Sequence, residues 1–444
     1  MAYEFLPGFM PPLTTMADGT VKQINPFSGT EVWTVPGRAN RPLEMKRPEP
    51  QPVLSDQLGY HCAFCASRVL ETPPEKARLV RKGEDAEIKH GTSADDLSRE
   101  WEFRRIPNLF EIVPFEYWEK NYDYRLVREA QQRMDFYLAD PAGRAHVMAV
   151  LRAKLKATLS PEEFDALPDA EKTTTARCFF GGGHDLIVGR RHFVDGAADD
   201  SQLASAGTLT PQEHEWYIRL TVDAMHDLYA KNRYARYVQV FQNWLKPAGA
   251  SFDHLHKQLV AIDQRSVNGE LEVEKVRRNP NLYNEAAVDY AGYQNLVIAE
   301  NKHAVAIAGF GHRYPTLEVY SRSRFGQPWE LSREELRGMS DLIHAMHAAT
   351  GPLVPCNEEW HCKPIDSDVN MPWRVLIKWR VSTLAGFEGG TKIYVNTIDP
   401  WHLRNRVVPR LLELRAAGDI AANISIATEC TCTVNSLQYN KALW

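Results

Sequence analysis

Apolar positions recur at helical spacing in some stretches and alternate with polar ones in others, so the chain reads as a mixture of helices and strands. Between Tyr117 and Lys172 the pattern is helical, with Ser160, Pro161 and Glu163 forming a capping signature ahead of Phe164 and Leu167. A second helix is predicted from its cap Thr210, with Pro211 in the first turn and Glu213 three residues after the cap, to about Lys231. Another starts after Ser332, with Glu335 in the matching place. Short strands are predicted at Glu31 to Val35, Tyr237 to Phe241, Asn295 to Ile298 and Ala304 to Ala308. The first fifty residues, rich in proline and glycine with turns at Asn25-Pro26 and Ser28-Gly29, form an arm or edge. Pro73 to about Arg99 is charged and nearly free of large apolar residues, which predicts a solvated loop, and Asp263 to Asn284 is a polar stretch. The pattern implies two α+β halves, residues 1–265 and 285–444, with a helical insertion at about 117–172.

Composition narrows the classes of function. With 444 residues, 44% hydrophobic and 25% charged, the chain is long enough for two cores. A formal net charge of −5 argues against a duplex nucleic-acid binder, which needs a basic surface to displace counterions. No apolar run is long enough to span a membrane, and the N-terminus lacks a signal peptide's basic start and apolar core, so a cytoplasmic protein is expected. Seven cysteines are too few and too scattered for a disulfide framework, and the close pair Cys62 and Cys65 points instead to metal or redox chemistry. A thioredoxin-like motif should open a helix after a buried strand. Tyr60-His61-Cys62 instead follows a polar, proline-containing segment, so half of a tetrahedral zinc site is the stronger reading.

The densest polar cluster is Asp253-His254-Leu255-His256-Lys257-Gln258. If it is extended, alternation puts His254, His256 and Gln258 on one face. An imidazole can attack phosphorus and form a phosphoramidate, while a neighbouring amide hydrogen-bonds a phosphate oxygen as charge shifts. A polar strand face is the competing reading of H-x-H-x-Q taken alone. Asn243, Gly249 and Ser251 precede the row and supply short polar groups and close backbone approach.

Phe241-x-Asn243-x5-Gly249-x-Ser251-x2-His254-x-His256-x-Gln258 resembles the active-site segment of galactose-1-phosphate uridylyltransferases and their phosphorylase relatives in the histidine-triad superfamily. Further segments agree in order. Asn25-Pro26-Phe27-Ser28-Gly29 with Arg38 and Arg41 resembles the family's N-terminal signature, Cys62-x2-Cys65 its zinc knuckle, and Trp101 to Phe110, with Asn108, a segment near the nucleoside. In the second half, Asn357-x3-His361-x2-Pro364 and Ala385-Gly386-Phe387-Glu388 also look like family motifs. The resemblance implies two diverged histidine-triad-like halves built of antiparallel sheets with flanking helices. It implies His256 as nucleophile, Gln258 holding a phosphoryl oxygen, and Arg38, Arg41, Asn108, Asn243, Gly249 and Ser251 as nucleotide and phosphate contacts. Glu388 and His361 fall on the sugar side. A structural zinc ion is implied on Cys62, Cys65, His254 and His192, with His184 as the alternative to His192. A homodimer is implied as well.

The pattern departs from the family at Pro372-Trp373-Arg374, where many uridylyltransferases carry His-Trp-His, so a second metal is not expected and Arg374 either supplies fixed positive charge or faces solvent. Trp244-Leu245 replaces a small, glycine-containing pair, a change expected to reshape the nucleoside pocket. The reaction expected is nucleotidyl transfer from a nucleoside diphosphate sugar to a sugar 1-phosphate through a nucleotidyl-histidine. The alternatives are a phosphorylase of a nucleotide sugar or dinucleoside polyphosphate, and a noncatalytic, zinc-stabilised nucleotide-binding protein.

Overall fold

The computed structural model of the protein describes residues 11–36, 49–54, 58–382 and 384–443, so Arg38 and Arg41 lie outside the described residues. In chain order the strands are β1 (Leu13–Thr15), β2 (Val21–Ile24), β3 (Glu31–Thr34), β4 (Ala77–Lys82), β5 (Asp85–His90), β6 (Phe103–Pro107), β7 (His184–Gly189), β8 (Tyr237–Trp244), β9 (His256–Ile262), β10 (Val297–Glu300), β11 (Ala304–Gly309), β12 (Thr316–Ser321), β13 (Cys356–His361), β14 (Arg374–Trp379), β15 (Ile393–Asn396) and β16 (Ser425–Ile426). The helices are α1 (Phe115–Tyr122), α2 (Arg128–Ala139), α3 (Pro141–Leu155), α4 (Pro161–Ala166), α5 (Asp169–Ala176), α6 (Cys178–Gly181), α7 (Pro211–Lys231), α8 (Val267–Arg278), α9 (Tyr290–Tyr293), α10 (Arg333–Thr350), α11 (Gly386–Thr391) and α12 (Pro400–Ala417). None of them is long and apolar enough to cross a membrane.

The fold is α+β, as the pattern predicts. Twelve strands form one antiparallel sheet in the order β16-β10-β11-β12-β14-β13-β8-β9-β7-β6-β4-β5, and β1-β2-β3-β15 form a small second sheet. The large sheet has a seam where β8 meets β13, with Asn243 opposite Asn357 and Gln242 opposite Glu358. Reading outward from that seam, β8-β9-β7-β6-β4 on one side matches β13-β14-β12-β11-β10 on the other. Helix α7 precedes β8 as α10 precedes β13, and the two helices pack together, His214 Nδ1 lying 2.8 Å from Ser340 Oγ. The capping boxes at Ser160, Thr210 and Ser332 are all formed.

Two segments differ from their expected form. Residues 73–99 hold the β4–β5 hairpin rather than a solvated loop. Its charged residues deceive because several are buried: Glu75 and Arg78, with Arg104 of β6, are at most 2% exposed and form one ion-paired group, which satisfies charges that would otherwise resist burial. Lys76 likewise reaches Asp185 on β7 at 2.7 Å. Within 263–284, Ser266 accepts a hydrogen bond from the Gly269 amide and starts α8, whose Val273 and Val276 turn into the core. Here three turns with few apolar residues hid a helix.

Beneath the seam, on the face covered by α7 and α10, Lys257 of β9 donates to Glu358 of β13 at 2.6 Å, and both side chains are fully buried. His347 of α10 also meets Glu358, at 2.7 Å, and Gln242 accepts from Lys257 at 3.3 Å. Removing one partner leaves a buried charge unpaired, which typically costs about 3–5 kcal/mol. Glu358→Gln and Lys257→Met are each expected to lose stability on that scale in denaturant unfolding, and the double variant less than the sum of the two. Single-variant losses under about 1 kcal/mol would show that the pair does not hold the seam.

Candidate active site and metal centre

Strand β9 alternates as an extended segment must. Lys257 points to the helices, while His256 and Gln258 point to the opposite, open face, pairing across to Val188 and Leu186 of β7. His254, just before the strand, is anchored by two contacts with the end of β7: its Nε2–H donates to the Gly189 carbonyl at 2.6 Å, and the Gly189 amide donates to the Leu255 carbonyl at 3.0 Å. A carbonyl only accepts, so the first bond fixes the proton on Nε2 and leaves Nδ1 bare.

That bare nitrogen joins three other donors. His254 Nδ1 lies 3.2 Å from His192 Nδ1, 3.5 Å from Cys62 Sγ and 3.9 Å from Cys65 Sγ. His192 Nδ1 lies 3.6 Å from Cys62 Sγ and 3.5 Å from Cys65 Sγ, and the two sulfurs are 3.8 Å apart. Six such separations are the edges of one tetrahedron, and the four residues could hold a single metal ion. Among the described residues no other group of three or more such side chains does. The segments that meet here are the Cys62–Cys65 turn, the loop after β7 and the entry to β9.

His184 is elsewhere. The Ile112 amide donates to its Nδ1 at 3.1 Å, so its Nε2 carries the proton and donates to Gln258 Oε1 at 3.1 Å. Asn108 Nδ2 lies 3.0 Å from the same Nε2. Burial pushes the His184 imidazole down to about 4, and it is neutral at ordinary pH. With its oxygen engaged, Gln258 has its amide N–H groups left to donate. No reading of spacing alone separates a histidine that holds this glutamine from one that holds a metal.

His256 is 4% exposed, and its Nδ1–H donates to the carbonyl of His254 at 2.7 Å. The lone pair therefore sits on Nε2. Burial pushes the ring down to about 4, so the neutral form prevails near pH 7. Phe64, from the Cys62–Cys65 turn, packs 5.2 Å from the His256 ring and 4.7 Å from Phe252.

Asn243 approaches the turn that follows β8, its Nδ2 donating to the Gly249 carbonyl at 3.4 Å and its Oδ1 accepting from Asn357 Nδ2 at 2.7 Å across the seam. Gly249 has φ +90°, a left-handed conformation that suits glycine, and Ser251 is exposed beyond it. Leu245 also has positive φ, +66°, yet Leu245 and Trp244 are both buried in the core, the Trp244 indole donating to the Pro352 carbonyl. Their side chains fill the core behind the Asn243–Gly249 turn.

Neither sugar-side candidate touches His256 among the described residues. Glu388 stands on exposed α11 beside the small sheet, where it accepts from the Ala385 amide at 3.1 Å. His361 lies opposite Arg374 in the β13–β14 pair. Arg374 does not face solvent: it is 4% exposed and binds Glu272 at 2.6 Å, Tyr283 donates to the same carboxylate oxygen, and the guanidinium lies 4.5 Å from the Phe27 ring centre. Fixed positive charge thus neutralises Glu272.

Comparison with known proteins agrees with the motif resemblance. An Arabidopsis thaliana protein named ADP-glucose phosphorylase is 23% identical over 383 residues, which is 84% of this chain and 88% of that protein. A Thermotoga maritima galactose-1-phosphate uridylyltransferase is 24% identical over 211 residues, 42% of this chain and 64% of that protein. The crystal structure of the Arabidopsis ADP-glucose phosphorylase with bound ADP-glucose shares the fold, with a TM-score of 0.56 at 18% identity over 88% of this chain and 98% of that one. The profile of the family described as "Domain of unknown function (DUF4921)" matches residues 16–439, nearly the whole chain, and the protein belongs to that family.

Proposed function

We propose that the protein is a nucleotidyltransferase that takes the nucleotidyl group of a nucleoside diphosphate sugar onto His256 and passes it to a sugar 1-phosphate. The observation that carries this reading is the hydrogen bond from His256 Nδ1–H to the His254 carbonyl, which directs a neutral lone pair outward from Nε2. Nε2 attacks the α-phosphorus, the bond from that phosphorus to the bridging oxygen breaks, and a sugar 1-phosphate leaves. A phosphate oxygen of the acceptor then attacks the same phosphorus and the P–N bond breaks, restoring the imidazole. Gln258, oriented by His184, donates an amide N–H to a nonbridging oxygen as charge builds there. Asn108, Asn243, Gly249 and Ser251 border this row and serve as nucleotide contacts, with Arg38 and Arg41 as phosphate ligands. A second reading, in which inorganic phosphate is the acceptor, is favoured by the relative named as a phosphorylase, which aligns with 84% of the chain, twice the span of the named uridylyltransferase.

The metal in this reading is zinc. Zinc held at about 2.3 Å from sulfur and about 2.05 Å from nitrogen needs about 3.8 Å between sulfurs, about 3.6 Å between sulfur and nitrogen and about 3.3 Å between nitrogens. Five of the six observed spacings lie within about 0.1 Å of these edges, and the sixth, Cys65 Sγ to His254 Nδ1, is 3.9 Å. Four protein ligands leave no position for water, so the role is structural: it fixes His254, whose carbonyl holds His256.

Incubation with ADP-glucose or UDP-glucose labelled at the α-phosphate is expected to give an acid-labile adduct, lost in His256→Ala with folding and metal content unchanged. Absence of any adduct in the wild type would leave the noncatalytic reading standing, and product mass with glucose 1-phosphate, galactose 1-phosphate or phosphate as acceptor separates the two enzymatic ones. Elemental analysis is expected to find about one zinc per chain, with Cys62→Ser and His192→Ala losing metal, melting temperature and activity together. His184→Ala should keep its zinc but form the adduct roughly 10- to 100-fold more slowly, the scale of losing a partner that orients a functional side chain. Loss of metal in that variant would overturn the assignment of its role.

A further inference from the structure

On the open face of the sheet, beyond the far end of β8 from Asn243, residues of both halves and of the N-terminal arm line a cavity of about 400 Å³, large enough for a small organic ligand. Its place is set by topology. Arg374 opens β14 as His256 opens β9, and each of these strands lies beside a seam strand. The cavity walls include Arg374, His361, Lys378 and Arg313, together with the first turn of α8, Ser266 to Gly269. Although Arg374 is 4% exposed and binds Glu272 through Nη2, its Nε and Nη1 have no hydrogen-bond partner among the described residues, whereas His361 Nε2 lies 3.6 Å from the Glu359 carboxylate. Unpaired donors at such depth are costly unless something accepts from them.

The charges favour an anion. Glu272 is matched by Arg374 and Glu359 by Lys378, while Arg265 is matched outside the cavity by Glu270 and Asp366. Arg313 has no acidic partner among the described residues and lies over the Tyr394 ring, 5.5 Å from its centre. A surplus guanidinium, two unsatisfied guanidinium nitrogens and a helix N-terminus together suit a doubly charged phosphoryl group, and the tyrosine offers a flat wall for a ring. We propose that this cavity binds a phosphate monoester carried on a sugar or nucleoside ring, as a binding site without nucleotidyl chemistry. Arginine stays protonated and has no lone pair to attack phosphorus, so the position equivalent to His256 can grip a phosphate but cannot accept a nucleotidyl group. This inference does not rest on His256 being a nucleophile.

The test is calorimetric titration of the zinc-replete full chain with AMP, with glucose 1-phosphate and with inorganic phosphate. At least one ester is expected to bind, AMP if the ring is a nucleoside and glucose 1-phosphate if it is a sugar. Its affinity should fall at least tenfold in Arg313→Ala and in Arg374→Gln and persist in His256→Ala. Arg313 is exposed, so its variant keeps the test decisive if Arg374→Gln fails to fold. Failure of both esters to bind, phosphate binding as tightly as they do, unchanged affinity in Arg313→Ala, or loss of binding in His256→Ala would each overturn the proposal. Adduct formation in Arg313→Ala is read separately, so an inert first site and an absent second site give different results.

Discussion

The contact between Lys257 and Glu358 constrains everything built on β9. A strand displays its residues alternately to two faces, so a slip of one residue would carry Lys257 into the open face and bury His256 and Gln258 among the helices. Fully buried beneath α7 and α10, the lysine has one acceptable position, opposite the glutamate of β13. The ion pair acts as a register device: it spans the seam between the two sides of the sheet and orients the imidazole row by occupying the other face. Its worth lies more in that specificity than in net energy, since a buried pair gains little over an apolar one.

From that register a chain of single hydrogen bonds leads to the His256 imidazole. Gly189 accepts from His254, which leaves the inner nitrogen free to join two sulfurs and a second imidazole, and the carbonyl of the same residue holds His256. The cluster of cysteines and histidines and the His256 imidazole are thus consecutive links of one backbone segment. Gln258 is held separately through His184 and Ile112, so its orientation does not depend on the cluster.

Much of this was legible in the sequence where local chemistry suffices. Caps at Thr210 and Ser332 mark their helices because a hydroxyl and a carboxylate three residues apart satisfy each other wherever they occur. The placing of His256 and Gln258 on one face was legible because alternation needs only an extended chain, whereas His254 lies at a bend before the strand. Residues 73–99 were misread because a paired charge and a solvated charge look alike in one dimension. Glu75 is silent about Arg104, which lies 29 positions away. For the same reason two histidines eight apart, His184 and His192, could not be told apart until β7 placed one at its start, facing Gln258, and the other beyond its end, facing the sulfurs.

The two sides of the large sheet share a topology yet differ in what the strand next to the seam presents. On β9 it is an imidazole with a free lone pair; on β14 it is a guanidinium that binds Glu272 and leans on Phe27. A change of one side chain at one register position therefore separates a group that can form a bond to phosphorus from one that can only attract it, without altering strand order, pairing or the helices above. The N-terminal arm belongs to the same division, because Phe27 packs under Arg374 and Lys275 of α8 donates to the Phe27 carbonyl at 2.7 Å. A single arginine meets the Glu272 carboxylate there, and its Nε and Nη1 are buried with no hydrogen-bond partner among the described residues. Fixed charge thus neutralises that carboxylate, whereas on the other side four cysteine and histidine side chains converge on one point.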